Sequence, residues 1–287
     1  MKVKTAAKIN LALDVTGKLP NGYHTIESVF QTVGLYDEVS VELTRNGTEL
    51  SCEVPQEFAA SDPIPCDERN IAYKAAKLFF EENGMDCGCR IHIKKGIPSQ
   101  AGMGGGSTDA AAVLYCLGQL TGKSVSTPEK LGADVPFFLT GGTAYVEGIG
   151  EIIKPIADYS GKILVIAKGK EGVSTAEAYG NIDRLGSPKH PETHRLAEAI
   201  EKAPDTAYKY FGNLFEQAVE LPEVEEIKSN MLKYRARAAA MTGSGSAVFG
   251  LFHDPAQAVG CADELRVKGY FACVCETVPE SFIILEK

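Results

Sequence analysis

No window of this 287-residue chain comes near the ~18 uninterrupted apolar residues that a membrane-crossing helix requires, so no membrane partner is expected. The C-x-x-C pair of zinc and thioredoxin sites is missing as well. Among the eight cysteines, Cys87/Cys89 and Cys273/Cys275 have the spacing C-x-C beside strand-like sequence, which argues against metal. The opening MKVKTAAKINLALDV lacks an apolar stretch followed by a small-residue cleavage site. Reduced thiols and a cytoplasmic location are therefore expected. Positive charge is scarce: the formal net charge is -9, and no basic stripe with interleaved aromatics offsets it. That balance opposes binding driven by counterion release, and no nucleic-acid partner is expected. An acidic chain that handles phosphates must do so locally, with oriented backbone N–H groups and a few placed cations.

What the sequence does have is ordinary globular composition, 44% apolar and 23% charged, over a length that suits one large or two ordinary domains. Alternating apolar residues predict strands in VSVEL (39–43), RIHIKK (90–95) and KILVIAK (162–168). Helical spacing marks NIAYKAAKLFFEENG (70–84), stopped by Gly84, and DAAAVLYCLGQL (109–120), where Ala110, Val113, Leu114 and Leu117 share a face. A polar stretch, RLGSPKHPETHR (184–195), reads as an exposed loop, and the short strands AVFGLF and SFIILE lie towards the end. Strands and helices mix without a regular βαβ repeat, which predicts an α+β fold. Pro155 and the polar DYSGK suggest a division near residue 157, giving domains 1–157 and 158–287.

The stretch GIPSQAGMGGGSTDAAA (96–112) carries no bulky side chain from Gly102 to Ala112 except Met103. A predicted strand precedes it and an amphipathic helix, beginning near Ser107, follows. Free N–H groups therefore converge at a helix N-terminus, where the dipole and the orphan donors together favour an anion such as phosphate. Two better-known phosphate motifs fail. GQLTGKS (118–124) has three residues between its glycines instead of four and follows a helix, while GMGGGS lacks the G-x-G-x-x-G spacing.

The pattern P-x-x-x-G-[LM]-G-G-G-S-[ST] at 98–108 resembles the phosphate loop of the GHMP kinases, the family of galactokinase, homoserine kinase and mevalonate kinase. AAKINLALDVTGKLPNGYHTIESVFQTV (6–33) and LGADVPFFL (131–139) are similar to signatures of one branch of that family, whose acceptor is a cytidine-diphosphate sugar alcohol. MTGSGSAVFGLF (241–252) is similar to the family's third motif, so the resemblance spans nearly the whole chain. Departures exist. Only ten residues, KSVSTPEKLG, separate Gly122 from Ala133, where the family usually has a fuller helical connection. Gln100, Met103 and Thr108 stand where it often has Gly, Leu and Ser.

The resemblance implies a two-domain GHMP kinase fold with the active site in the inter-domain cleft, and transfer of a phosphoryl group from ATP, with Mg²⁺, to a hydroxyl of that alcohol. By the same resemblance Asp134 takes the hydroxyl proton and Lys8 lies beside it, neutralising charge on the moving group. The ATP site would comprise Pro98, Gln100, Ala101, Gly102, Met103, Gly104, Gly105, Gly106, Ser107 and Thr108. Ser107 and Thr108 hydroxyls suit either helix capping or a phosphate-bound Mg²⁺. Asp109 would repel phosphate if it pointed inward, so it is expected to turn away or to face the metal. For the acceptor, the resemblance implies that Tyr23 and Tyr179 sandwich the base and that His24 bonds its edge. Phe30 would line the pocket, with Asn10 and Thr175 reaching the substrate near the sugar alcohol or its phosphates. Another kinase of the family with a different small alcohol, and a nucleotide-binding protein without catalysis, are the remaining readings; absence of Lys8 or Asp134 would favour the second. A monomer or a homodimer fits equally.

Overall fold

The fold is set by two strands far longer than the alternation in VSVEL predicts. In the computed structural model, which describes residues 1–55, 64–172 and 174–287, β1 (Lys2–Lys18) and β2 (His24–Thr44) form one antiparallel hairpin. Their middle stretches are buried on both faces, so no apolar/polar alternation marks them. β2 is long enough to change partners along its length. Its later half pairs with β4 (Gly88–Lys94), which in turn pairs in parallel with β3 (Glu49–Glu53). Its earlier half pairs with β5 (Thr143–Glu147), which leads to β6 (Ile152–Pro155).

Two helices cover this sheet. α1 (Ile71–Glu82) starts where the Asn70 side chain accepts from the Ala72 N–H, and the chain then turns at Gly84, as the sequence predicts. α2 (Gly105–Thr121) is buried nearly all round, so its alanines let it pack closely against α1 and the sheet. After α2 the ten-residue connection contains one 3-10 turn (Pro128–Lys130) and then the short α3 (Val135–Thr140).

The second sheet is antiparallel, β11-β7-β10-β9, from β7 (Ile163–Lys168), β9 (Ala238–Met241), β10 (Val248–Phe252) and β11 (Phe271–Glu276). Helices α4 (Thr175–Ile182), α5 (Thr193–Lys202), α6 (Pro222–Lys233) and α7 (Pro255–Val267) belong to this half. The stretch 184–195 does begin as loop, but its end forms the start of α5. Two strands of this half return to the first sheet: β8 (Gly212–Asn213) pairs in parallel with β1, and β12 (Phe282–Glu286) pairs antiparallel with β1. One core cluster joins both sheets, with Ala7, Ile9 and Leu11 of β1 among Leu164, Ile166 and Phe249. The α+β class expected from the sequence is the class observed.

Candidate active site

Lys8 and Asn10 lie two residues apart on β1, so they share the face opposite Ile9. Register shifts between Ala6 and Ala7 and between Asn10 and Ala12 bracket them, and such bulges re-aim side chains. Lys8 is 4% exposed; its ammonium donates to Asn10 Oδ1 at 2.8 Å, lies 4.6 Å from the Phe30 ring centroid and is 3.7 Å from Asp134 Oδ2. Burial lowers its pKa below the ordinary lysine value, with the Asp134 charge opposing. Asp134 sits at the N-terminus of α3, yet its carboxylate makes no capping bond and remains open to the cavity. The helix starts at Val135 with Pro136 in its first turn, so the short connection still delivers Asp134 to Lys8.

Both belong to a cavity of about 890 Å³. Tyr23, His24, Phe30, Thr175 and Tyr179 line it, with Gly102, Gly104 and Ser107 from the glycine loop. Phe30 is buried and meets Phe137 edge-on at 5.2 Å. Thr175 opens α4 with its hydroxyl 3.2 Å from that of Ser244. The expected base sandwich is only half assembled: Tyr23 is 61% exposed, whereas Tyr179 is stacked on His24 at 4.7 Å and meets Phe215 edge-on at 4.9 Å. Burial, then the nearby Asp134 charge, pushes the Tyr179 phenol up to about 12, so it stays protonated.

A second cavity of about 460 Å³ lies on the other side of the glycine loop. Pro98, Gln100, Ala101, Met103, Gly105 and Gly106 line it, while Gly102, Gly104 and Ser107 border both cavities. The loop ends in α2, whose first residue, Gly105, comes two positions earlier than the sequence predicts. No side chain caps this helix, and Gly104 before it has φ 72°. Its first N–H groups thus face the junction of the two cavities unpaired by the helix, as an anion site requires. Gly102, at φ 70°, has no room for a side chain: a Cβ there would lie 2.2 Å from the Thr242 carbonyl oxygen. The glycine loop and the TGSG turn of the second half therefore touch backbone to backbone.

One expected residue is placed differently, and a second is also engaged by the protein. Thr108 is fully buried, its hydroxyl donating to the Ala6 carbonyl at 2.8 Å and meeting Thr5 Oγ1 at 2.5 Å, so it faces the core and neither phosphate nor metal. Asn10 lines the larger cavity, but it is 2% exposed and its amide oxygen is held by the protein. Oδ1 accepts from Lys8, from Thr242 Oγ1 at 3.1 Å and from the Gly243 N–H at 2.9 Å, and Nδ2 donates to Ser28. It fastens Lys8 to the third glycine motif. Asp109 turns away from the loop donors: it is buried and receives Lys95 at 2.7 Å, with Oδ1 unpartnered.

Sequence reasoning missed four contributors. Lys95 and Asn70 line the second cavity, and Lys18 and Asp183 the first. Asp183 follows Tyr179 by four residues, which on a helix puts the two on one side; that spacing was the available signal. Among the described residues no group of three or more His, Cys, Asp or Glu is arranged to hold a metal, and the eight cysteines are free.

Comparison with known proteins fits this arrangement. The GHMP kinases N terminal domain matches residues 70–142, and the GHMP kinases C terminal domain matches residues 193–270. A curated 4-diphosphocytidyl-2-C-methyl-D-erythritol kinase from Clostridium botulinum (strain Eklund 17B / Type B) is 40% identical over 287 residues, covering 97% of this chain and 100% of its own. A crystal structure of 4-(cytidine 5'-diphospho)-2C-methyl-D-erythritol kinase is similar with a TM-score of 0.78 and 33% identity, covering 96% of this chain and 99% of that one. A homoserine kinase from Cytophaga hutchinsonii shares the fold, with a TM-score of 0.74 at 16% identity over 99% of this chain and 97% of its own.

Proposed function

Because the chain belongs to the GHMP kinase family, we propose that it uses ATP to phosphorylate the 2-hydroxyl of 4-diphosphocytidyl-2-C-methyl-D-erythritol, yielding the 2-phosphate and ADP. This is a step of the non-mevalonate route to isoprenoid precursors. The observation that carries the reading is the Lys8–Asp134 pair, held 3.7 Å apart in a cavity that the glycine loop and the His24–Tyr179 stack also border.

ATP lies with its phosphates on the Gly104–Gly105–Gly106 backbone at the α2 N-terminus and its base in the second cavity. The acceptor enters the larger cavity, so the two substrates meet at the shared border formed by Gly102, Gly104 and Ser107. Asp134 takes the proton of the attacking hydroxyl. Lys8, desolvated and therefore a strong local charge, stabilises the transferring phosphoryl oxygens. Asn10 keeps the ammonium in place. The residues present fit a Mg²⁺ carried largely by the nucleotide's own phosphates, since Ser107 is the loop hydroxyl open to both cavities. When bound, that ion neutralises charge between the phosphates. The division near residue 157 is supported by the chain leaving β6 at Pro155 and entering the second sheet at Ile163.

A coupled assay of ADP release tests the reading: turnover is expected with the cytidyl substrate and not with homoserine, mevalonate or galactose. Equal turnover on any of those alcohols would leave only the family assignment standing.

A further inference from the structure

We propose that Asp183, held by Lys18, is a positioning residue that selects cytosine by fixing the tautomer of His24; this deepens the functional reading above and rests on it. His24 lies nearly flat over Tyr179, with ring centroids 4.7 Å apart and planes inclined by 19°. A base stacked on that same face of Tyr179 occupies the layer the imidazole already occupies. The two rings then meet edge to edge, so what the base encounters is an imidazole nitrogen.

Which nitrogen, and in which form, is set by the neighbours. His24 Nε2 is 2.7 Å from Asp183 Oδ1, and the other oxygen of Asp183 accepts from Lys18 Nζ at 2.5 Å. Those bonds from His24 and Lys18 hold the Asp183 carboxyl below its usual range, so it is ionised and can only accept. Nε2 must therefore carry the hydrogen. In the neutral ring this leaves Nδ1 as a bare acceptor, free to meet the base. Cytosine presents an exocyclic amine, a donor, where uracil presents a carbonyl oxygen. The acceptor at Nδ1 bonds the first and repels the second.

The fold supplies the four groups in two pairs. Lys18 ends β1 and His24 begins β2, directly paired across the hairpin, while α4 carries Tyr179 and ends beside Asp183. His24 is well enclosed, its side chain 8% exposed, so the imidazole has little freedom to turn over once Asp183 holds it.

Asp183→Ala and Asp183→Asn test the assignment, read by ¹⁵N NMR of the His24 ring in the free protein and by steady-state kinetics on the cytidyl substrate and its uridyl analogue. In Asp183→Ala the Nε2–H signature should give way to a tautomer mixture. KM for the cytidyl substrate should rise about tenfold, kcat and KM for ATP should hold, and the cytidyl-to-uridyl preference should fall about tenfold, within the range one base-edge contact discriminates. Asp183→Asn keeps an acceptor oxygen and should retain most of the Nε2–H form and of the preference. An unchanged His24 signature or an unchanged base preference in Asp183→Ala overturns the proposal. A wild-type chain that does not turn over the cytidyl substrate defeats the functional reading instead, and the NMR arm still judges the Asp183–His24 link.

Discussion

At Lys8 and Asp134 the chemistry turns on one proton and one charge, and each can be removed without changing size. Asp134→Asn should lower kcat by roughly 10² or more with KM retained, because the amide cannot take the hydroxyl proton; near-normal turnover would place the base elsewhere. Lys8 acts only while charged, and burial has lowered its pKa. Activity should therefore persist at pH below that lowered value and fail as pH rises through it, earlier than an exposed lysine at ~10.4 would cause. Lys8→Arg cannot deprotonate in that range, so its lower kcat should lose this alkaline limb; a limb that survives belongs to another group. The glycines separate in the same way. A Cβ at Gly105 meets Ile97 and Lys95 at ordinary distances of 3.4 and 3.5 Å, whereas one at Gly102 runs into the Thr242 carbonyl. Gly105→Ala should thus keep wild-type stability in urea yet bind ATP more weakly, and Gly102→Ala should lose stability as well. The glycine loop was legible from its own pattern; Lys8, Asn10 and Asp134 were legible only through the family resemblance. Asp183 was not, because an aspartate after a helix has many uses and its partners Lys18 and His24 lie across the fold. Thr108 misled for a related reason: adjacent hydroxyls look alike in a sequence, while a helix turns successive residues about 100° apart and sends one to the site and the next to the core.

Between elements, one buried cluster ties three of them together under the glycine loop. Asp37 of β2 accepts the Gly96 and Ile97 N–H groups on Oδ1, at 2.6 and 2.8 Å, and binds Lys95 through Oδ2; Lys95 also bonds Asp109 of α2. Burial opposes the Lys95 charge, but the carboxylates of Asp109 and Asp37 outweigh it and raise its pKa. One lysine cannot balance two buried carboxylates, and burial, against the pull of Lys95, pushes Asp109 well above the usual range. The two aspartates should therefore respond differently. Asp109→Asn keeps the shape and an acceptor oxygen for Lys95 while removing a charge that burial disfavours, and should change stability by less than about 1 kcal/mol. Asp37→Ala leaves Lys95 with Asp109 alone and two loop amides without their acceptor, and should cost about 3 to 5 kcal/mol, measured by urea denaturation. Equal losses would mean that the loop is held by something else. None of this was readable from RIHIKKG. Alternation located β4 and, in VSVEL, part of β2, but the partner of Lys95 is 58 residues upstream and neither pattern says that the two strands pair.

For the molecule as a whole, the sequence predicted the α+β class and could not give the returns of β8 and β12, which depend on pairing between distant segments. Those returns make the first sheet incomplete without the second half. A fragment of residues 1–157 lacks both edge partners of β1, as well as Phe282, whose ring stacks on Tyr115 of α2 at 4.5 Å. It should show no cooperative thermal transition by circular dichroism; a sharp melt would mean that the first sheet stands alone. The same topology also bears on synthesis. β1 leaves the ribosome long before the strand that closes its outer edge, which begins at Phe282. Throughout translation Val3 to Thr5 present open ladder groups with no native partner yet made. Nascent chains stalled short of residue 282 should consequently be captured by chaperones or self-associate through that edge, while release of the full chain should end both within the time of strand docking.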